Sequence, residues 1–244
     1  MLEITHKTLW DHLHDLKNLM LKIAGVWAVA AGLAMIFSDK LIEIVNKPLL
    51  DLNQTIHFLS PADSFFYVFK IYFLAGFLVT LPIILLLIWQ YIQSGLQDNE
   101  KHFVQYYALG VGFLTLVATL YGYFSLIPSS LKFFIDLAPK GTTYIITGIE
   151  YINFLIAMLV SLILVFQTPV LVFGLVRSGI VSHTFFATRR RYFYFGSAVL
   201  LALFSPIFDI ITFMIVLVPV WLFFEVALYL GNIGKSKVAQ ENVI

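Results

Sequence analysis

Cysteine is absent from the 244-residue chain, and charged residues make up only 12% of it. The absence of cysteine excludes disulfides, cysteine-ligated zinc or iron–sulfur sites, and a cysteine nucleophile. The 15 basic and 14 acidic residues give a formal net charge of +1. The chain therefore lacks the excess of basic residues that would create a broad surface for nucleic acid, and no nucleic-acid partner is expected.

Hydrophobic residues dominate what is present, at 60% of the chain and a mean hydropathy of +0.92. This composition excludes soluble globular and disordered proteins. A transmembrane helix needs about 20 apolar residues, and the apolar runs do not alternate as the strands of a membrane β-barrel would. The sequence therefore predicts an all-α integral membrane protein with six transmembrane helices, at residues 19–37, 65–91, 103–127, 152–176, 192–204 and 207–230. The fifth helix is short, at about 20 Å.

The orientation is predicted from lysine and arginine, which favour cytoplasmic loops. A cytoplasmic N-terminus puts nine of these residues inside and four outside. The inside set is Lys7, Lys17, Lys101, Arg177, Arg189, Arg190, Arg191, Lys235 and Lys237, and the outside set is Lys40, Lys47, Lys132 and Lys140. We therefore expect both termini inside, one six-helix domain at 1–234 and a short cytoplasmic tail at 235–244. Turn residues in the two long outer loops, 38–64 and 128–151, indicate compact caps.

Three strongly polar residues interrupt the predicted spans, and each is costly there unless it is paired or faces a cavity. Gln167 lies in the fourth helix, where it either links helices of this chain or hydrogen-bonds to a partner's helix. Glu225 lies close to the cytoplasmic end of the sixth helix and is predicted to be an interfacial carboxylate. Lys70, near the outer end of the second helix, either extends to the lipid headgroups or pairs with a neighbour.

The chain offers little for catalysis. Its histidines are scattered and none lies in a predicted span, so neither a metal site nor a nucleophile–base pair is expected. No cofactor is expected either. A small-solute membrane transporter or channel is the alternative function, although the predicted spans contain few polar groups for such a role.

A polar loop at residues 89–103 carries an acid, Glu100, on a face where bases are usual. Asp98 or Asn99 can cap the third helix, which puts Glu100 in its first turn, where the helix dipole favours a negative charge. The other interpretation is a ligand site for a cation arriving from the cytoplasm. Asp11 and Asp15, at the start of the first helix, would be a second acidic element on that side.

Several short motifs follow one another along the chain. They are HLHDLKNL (12–19), KPL (47–49), PADSFFYVFK (61–70), LP (81–82), WQYIQSGLQDNEK (89–101), YGYFSLIP (121–128), FQTP (166–169), GIVS (179–182) and RRRY (189–192). In this order the chain resembles the TatC family, the receptor component of the twin-arginine protein-export system, over residues 12–230. It departs from the family pattern at Ser94, Lys101 and Gln167, where proline, arginine and glutamate are usual. In SPIFD, Asp209 is displaced by one position from the family's turn acid.

The resemblance implies a non-enzymatic receptor in the bacterial cytoplasmic (inner) membrane. It would bind twin-arginine signal peptides at its cytoplasmic face and assemble with TatA-type and TatB-type single-span proteins. It would then pass folded proteins across the membrane using the proton-motive force. Contact with membrane lipids and self-association are also expected. The predicted signal-peptide residues are Glu100, Asp15, Lys17, Leu16, Tyr91 and Lys101, and the predicted intramembrane polar or partner residues are Gln167, Glu225, Pro48 and Lys70.

Overall fold

The computed structural model describes residues 9–93, 101–139, 145–177, 181–204 and 209–241, which are almost entirely helical. In chain order the helices are α1 (Leu9–Ala34), α2 (Ser38–Leu50), α3 (Pro61–Gln93), α4 (Lys101–Tyr121), α5 (Ile127–Asp136), α6 (Gly148–Arg177), α7 (His183–Thr188), α8 (Arg190–Phe204) and α9 (Ile210–Glu241). A 3₁₀ turn (Met35–Phe37) joins α1 to α2, and a π-helical turn (Gly122–Leu126) joins α4 to α5. Two short strands are β1 (Ile56–His57) and β2 (Ile146–Thr147).

Five helical stretches are long and apolar enough to cross a membrane, which confirms the prediction of a multi-pass helical membrane protein. They are Leu13–Leu50, Pro61–Ile88, Leu109–Asp136, Gly148–Arg177 and Ile210–Leu230. Helix α8 has 15 residues and a length of about 22 Å, which is short of the hydrocarbon thickness. The sixth span and the orientation of the termini therefore stay predictions. Helix α9 continues past residue 234 to Glu241, and the division between domain and tail likewise stays a prediction.

Helix α6 is the centre of the bundle. It packs against α3, α4, α8 and α9, and 67% of its apolar, membrane-spanning stretch is buried within the protein. An almost uninterrupted apolar sequence suits this position, because a helix that is hydrophobic on all sides needs neighbours on all sides. Gly122 brings the end of α4 against Leu159 and Leu162 of α6, since an added Cβ would lie within 3 Å of both side chains. The core therefore forms around α6.

Helix α1 packs along α3 in the antiparallel direction. Gly76 meets the backbone of Ala31, and beyond the end of α1 the hydroxyl of Ser38, the first residue of α2, forms a 2.6 Å hydrogen bond with that of Tyr72. Moving forward along α1 therefore means moving backward along α3. Trp27 fixes the pair by donating its indole N–H to the Phe73 carbonyl at 2.9 Å.

The two connections predicted to be compact caps, 38–64 and 128–151, contain helices that the sequence analysis did not predict. Helix α2 continues through the buried Pro48, although a proline has no N–H to give the carbonyl of residue 44. Tyr123 supplies that bond instead, with its hydroxyl donating to the Ile44 carbonyl at 2.8 Å. Tyr151 donates to the adjacent Val45 carbonyl at 2.6 Å. Hydroxyls from distant helices thus support a helix that local sequence signals did not predict.

The two loops are also joined to each other. Strand β1 pairs with β2 in parallel, with Ile56 opposite Ile146 and His57 opposite Thr147. Helix α6 begins directly after β2, and the ring of Phe58 fills the space beside Gly148. We call this side of the bundle the strand end.

Candidate functional site

The helix ends that carry the predicted signal-peptide residues lie at one side of the bundle, opposite the strand end. The contact between Ala31 and Gly76 sets the register of α1 on α3. Asp15 lies about 24 Å before Ala31 on α1, and Tyr91 lies about 22 Å after Gly76 on α3, at 1.5 Å per residue. Because the helices are antiparallel, Asp15 and Tyr91 lie at the same level.

The other helices meet at this level too. Helix α4 starts at Lys101 and packs antiparallel to α6, with Gly110 against Val170. The start of α4 therefore lies beside the end of α6 at Arg177. Val176 in turn belongs to a buried cluster with Phe224 and Leu228 of α9. We call this side of the bundle the α3–α4 end.

The structure places most of the predicted signal-peptide residues at the α3–α4 end. On α1, Asp15 is partly buried and makes contacts within the chain, whereas Lys17 is exposed and Leu16 is 39% exposed. Tyr91 is partly buried near the end of α3 and also makes contacts. Lys101 is the first residue of α4. Glu100, with its predicted capping neighbours 98 and 99, lies outside the described residues.

Glu225 is held by a polar cluster between α8 and α9. Its carboxylate forms a 3.2 Å ion pair with Arg190 and accepts a hydrogen bond from the Tyr194 hydroxyl. Trp221, one turn earlier on α9, donates its indole N–H to the Ser197 hydroxyl at 3.1 Å. The carboxylate is about one-third exposed, and its position at the membrane interface stays a prediction.

The partners of Glu225 were missed in the sequence, although a signal for them exists. A carboxylate in an apolar helix needs a compensating charge, and α8 and α9 are consecutive helices with a short connection. The first bases before that connection are the arginines at 189–191. In such a hairpin, residues at equal distances from the connection lie side by side. This rule would have predicted that Arg190 lies near Glu225.

Gln167 lies inside the bundle, between α4 and α6, with 3% of its surface exposed. Its amide nitrogen donates to the Thr115 hydroxyl at 2.9 Å and approaches the Val111 carbonyl at 3.4 Å. Its Oε1 atom has no hydrogen-bond partner among the residues that the structure describes. The amide donor thus serves the first of the two predicted roles, linking helices of this chain. Contact with a partner's helix stays a prediction.

The remaining predicted residues lie toward the strand end. Lys70 donates to the Asn153 side chain of α6 at 2.6 Å, so it pairs with a neighbouring helix. Pro48 is buried within α2. Asp209, whose role was open, caps α9: its carboxylate accepts the Thr212 N–H at 2.6 Å, which satisfies one of the free donors of a helix start.

The two carboxylates placed at the α3–α4 end both make contacts within the chain, Glu225 with Arg190 in an ion pair. Asp15 and Glu225 are partly buried on helices. A carboxylate fixed in this way can accept two hydrogen bonds from one guanidinium without first being ordered. Within the described ranges, no three His, Cys, Asp or Glu side chains are grouped closely enough to hold a metal ion.

Comparison with known proteins identifies the family. The model of the family described as "Sec-independent protein translocase protein (TatC)" matches residues 11–219. The TatC proteins of Aquifex aeolicus and Deinococcus radiodurans are 27% and 28% identical to this chain, covering 94% and 98% of it and 96% and 91% of their own lengths. A crystal structure of the twin-arginine translocase receptor TatC in DDM is 27% identical, with a TM-score of 0.75 over 90% of this chain and 99% of its own. These matches confirm the resemblance carried by the short motifs, and the chain belongs to the TatC family of Sec-independent protein translocase proteins.

Proposed function

We propose that this protein is the receptor subunit of a twin-arginine export system and binds twin-arginine signal peptides at the α3–α4 end. The observation that carries the proposal is that Asp15, Tyr91 and the start of α4 meet at this one end of the bundle. The segment 94–100, which contains Glu100, lies between α3 and α4 in the sequence. The crystal structure of a relative described as a twin-arginine translocase receptor, with a TM-score of 0.75 to this chain, supports the proposal.

Each residue has a defined part in the proposed recognition. Glu100 and Asp15 accept the paired arginines, because a guanidinium fork matches the two oxygens of a carboxylate. Tyr91 offers an aromatic face for a guanidinium. Leu16 gives apolar contact to the hydrophobic part of the peptide. Lys17 and Lys101 lie close in sequence to Asp15 and Glu100. Their positive charges disfavour peptides bound in the wrong register, since they repel the peptide's arginines.

The proposed topology has six spans, with α8 as the short fifth span and both termini in the cytoplasm. The nine-to-four distribution of bases supports it, since Arg177 and the arginines at 189–191 lie at the α3–α4 end, whereas Lys47 lies in α2. The membrane is then the cytoplasmic membrane of a bacterium. Signal peptides arriving from the cytoplasm reach the α3–α4 end directly.

Assembly with TatA-type and TatB-type proteins, and with further copies of this chain, completes the proposed function. Gln167, Glu225, Pro48 and Lys70 are the residues proposed for the partner-dependent steps. A glutamine does not titrate, so at position 167 the proposed contribution is hydrogen bonding and not proton transfer. The proton-motive force therefore acts elsewhere in the assembled translocase.

Binding of peptides tests the proposal. Photo-reactive residues at positions 15 and 100 should crosslink to a twin-arginine peptide and much less to a twin-lysine peptide. The substitutions Glu100→Gln and Asp15→Asn should each weaken binding by about ten-fold or more, as the loss of a hydrogen bond to a charged group predicts. The matched control is Glu43→Gln, an exposed acid on α2. Equal affinity of Glu100→Gln, Asp15→Asn and Glu43→Gln for the peptide would contradict the proposal.

A flux measurement distinguishes the alternative function from the proposed receptor function. A small-solute transporter or channel gives saturable flux in proteoliposomes that contain this protein alone. The receptor gives none under these conditions, because it requires its partners and a cargo. Saturable uptake that persists in the Glu100→Gln protein would favour the alternative.

A further inference from the structure

Three consecutive arginines at the start of α8 have different surroundings. Arg190 forms the ion pair with Glu225, so its charge is compensated within the chain. The guanidinium of Arg189 lies 4.3 Å from the centre of the Phe185 ring, and that of Arg191 lies 4.9 Å from the centre of the Tyr192 ring. In the ranges that the structure describes, neither Arg189 nor Arg191 forms an ion pair.

Stacking on a ring leaves an arginine able to bind an anion. The flat face of the guanidinium contacts the ring, while the N–H donors at its edge remain available. Arg191 gives one of these donors to the Tyr192 hydroxyl at 3.2 Å and keeps the others. Two uncompensated guanidiniums thus flank Arg190 at the end of an apolar helix. This is the arrangement that attracts an anionic headgroup at a membrane surface.

An exposed apolar stripe starts next to these arginines and runs along α8. Tyr192, Phe195, Val199 and Leu203 are 60%, 71%, 37% and 73% exposed. At about 100° per residue they share one face of the helix. Tyr192, beside Arg191, begins the stripe, and Leu203, near the other end of α8, completes it. A hydrocarbon chain can therefore extend from the arginines along the full length of this helix.

Gly196 makes a gap in the stripe. It falls on the same face, one turn after Tyr192, and an added Cβ would meet no atom within 4 Å. The opposite face of α8 packs into the protein, with Ser197 3% and Leu201 0% exposed. The glycine therefore is not required by packing inside the chain. It leaves a shallow furrow on the membrane side, between larger side chains.

We propose that this surface binds an anionic phospholipid, with its phosphate between Arg189 and Arg191 and an acyl chain along the α8 stripe. The uncompensated charge of each arginine attracts a headgroup phosphate, and the apolar stripe fits the chain attached to it. The length of α8 also supports lipid binding, since this helix of about 22 Å is shorter than a hydrocarbon core of about 30 Å. A lipid held by its headgroup at this short helix stabilises the local thinning that such a mismatch demands.

Lipid retention by the purified full-length protein tests the proposal. Phosphatidylglycerol and phosphatidylcholine with identical acyl chains are added to the protein in detergent, and bound lipid is counted by native mass spectrometry. The protein should retain phosphatidylglycerol in preference to phosphatidylcholine. The double substitution Arg189→Gln with Arg191→Gln should reduce that preference on the order of ten-fold, as the loss of two arginine–headgroup interactions predicts.

Two matched controls separate a specific site from general charge and from unfolding. The double substitution Lys47→Gln with Lys132→Gln removes the same two charges from exposed positions on α2 and α5 and should leave the preference unchanged. Gly196→Leu should fill the furrow and weaken retention of phosphatidylglycerol several-fold, whereas Gly25→Leu, at an equally open glycine on α1, should not. Thermal unfolding of each variant in the same detergent identifies any that misfold.

Three results would overturn the proposal. The first is equal retention of the two lipids by the unmodified protein. The second is an equal loss of preference in the arginine and lysine double variants, which would mean a general charge effect. The third is a Gly196→Leu protein that keeps its phosphatidylglycerol but no longer co-purifies with a single-span membrane protein, which would make the stripe a protein interface.

Discussion

Tyr121 of α4 donates a hydrogen bond, at 3.2 Å, to the carbonyl of Ile215 in α9. Within α9 that carbonyl would normally accept the N–H of residue 219, but residue 219 is a proline. Thr168 does the same for α6, where its hydroxyl bonds the Val165 carbonyl at 2.5 Å in place of the N–H missing at residue 169. Hydroxyl groups thus replace the backbone donors that are missing at Pro169 and Pro219.

The link between Tyr121 and Pro219 can be measured by a double-mutant cycle. Tyr121→Phe leaves the Ile215 carbonyl without a donor in an apolar setting and should lower the free energy of unfolding by about 1–3 kcal/mol. In a Pro219→Ala background the backbone N–H is restored, and the same tyrosine substitution should cost much less. Thermal unfolding in detergent gives the four stabilities. Equal costs in the two backgrounds would show that the tyrosine does not serve this carbonyl.

Close contact between α1 and α3 depends on Gly76. An added Cβ would lie 2.7 Å from the backbone nitrogen of Ala31 and 2.9 Å from its Cα. Backbone atoms cannot rotate away, so Gly76→Ala should separate the helices and destabilise the protein by about 1–3 kcal/mol. Gly112→Ala on α4 is the control, because no atom lies within 4 Å of its added Cβ and alanine favours a helix. Melting temperatures that rise for both variants would contradict the register described for α1.

The two proposed roles of Gln167 predict different results. A link inside the chain predicts that Gln167→Leu and Thr115→Val are coupled, by about 0.6–1.7 kcal/mol in a stability cycle. A contact with a partner's helix predicts that Gln167→Leu binds signal peptides normally but retains less TatA-type and TatB-type protein on purification and exports less cargo. Gln167→Glu should be tolerated in export. Normal export and partner retention by Gln167→Leu would restrict the residue to the internal role.

The orientation can be read from thiol labelling, since the chain has no cysteine of its own. A cysteine introduced for the exposed Asp51, after α2, should react with a membrane-impermeant reagent added outside the cell. One introduced for the exposed Thr188, at the end of α7, should react only after the membrane is opened. Reversed labelling would place the α3–α4 end outside and would remove the basis for signal-peptide binding there.

Hydropathy predicted the membrane helices well because a spanning helix has a fixed length and composition. The fourth predicted span, 152–176, lies within α6 (Gly148–Arg177). The fifth, 192–204, nearly coincides with the helix α8 (Arg190–Phe204), whose crossing of the membrane stays a prediction. Helix α2 escaped prediction because its support is not local. Pro48 signals a break, and the hydroxyls that offset it belong to Tyr123 and Tyr151, far along the chain.

For the site residues, the sequence predicted the position along the helix but not the neighbouring side chains. The depth of Gln167 in its helix follows from counting along an apolar run. Its neighbour Thr115 depends on how α4 and α6 are rotated against each other, which no short segment determines. Glu225 was likewise expected near the membrane surface, but its contacts with Arg190 and Tyr194 require the packing of two helices. The predicted signal-peptide residues came from the TatC family motifs, which were recognised by their order along the chain.

The pairing of β1 with β2 constrains one end of the bundle. It joins the connection before α3 to the connection before α6 through two residue pairs. Helix α6 then extends about 45 Å from this tie to the α3–α4 end. The starts of α3 and α6 are therefore held together at the end of the bundle opposite Asp15 and Tyr91, where a peptide would enter.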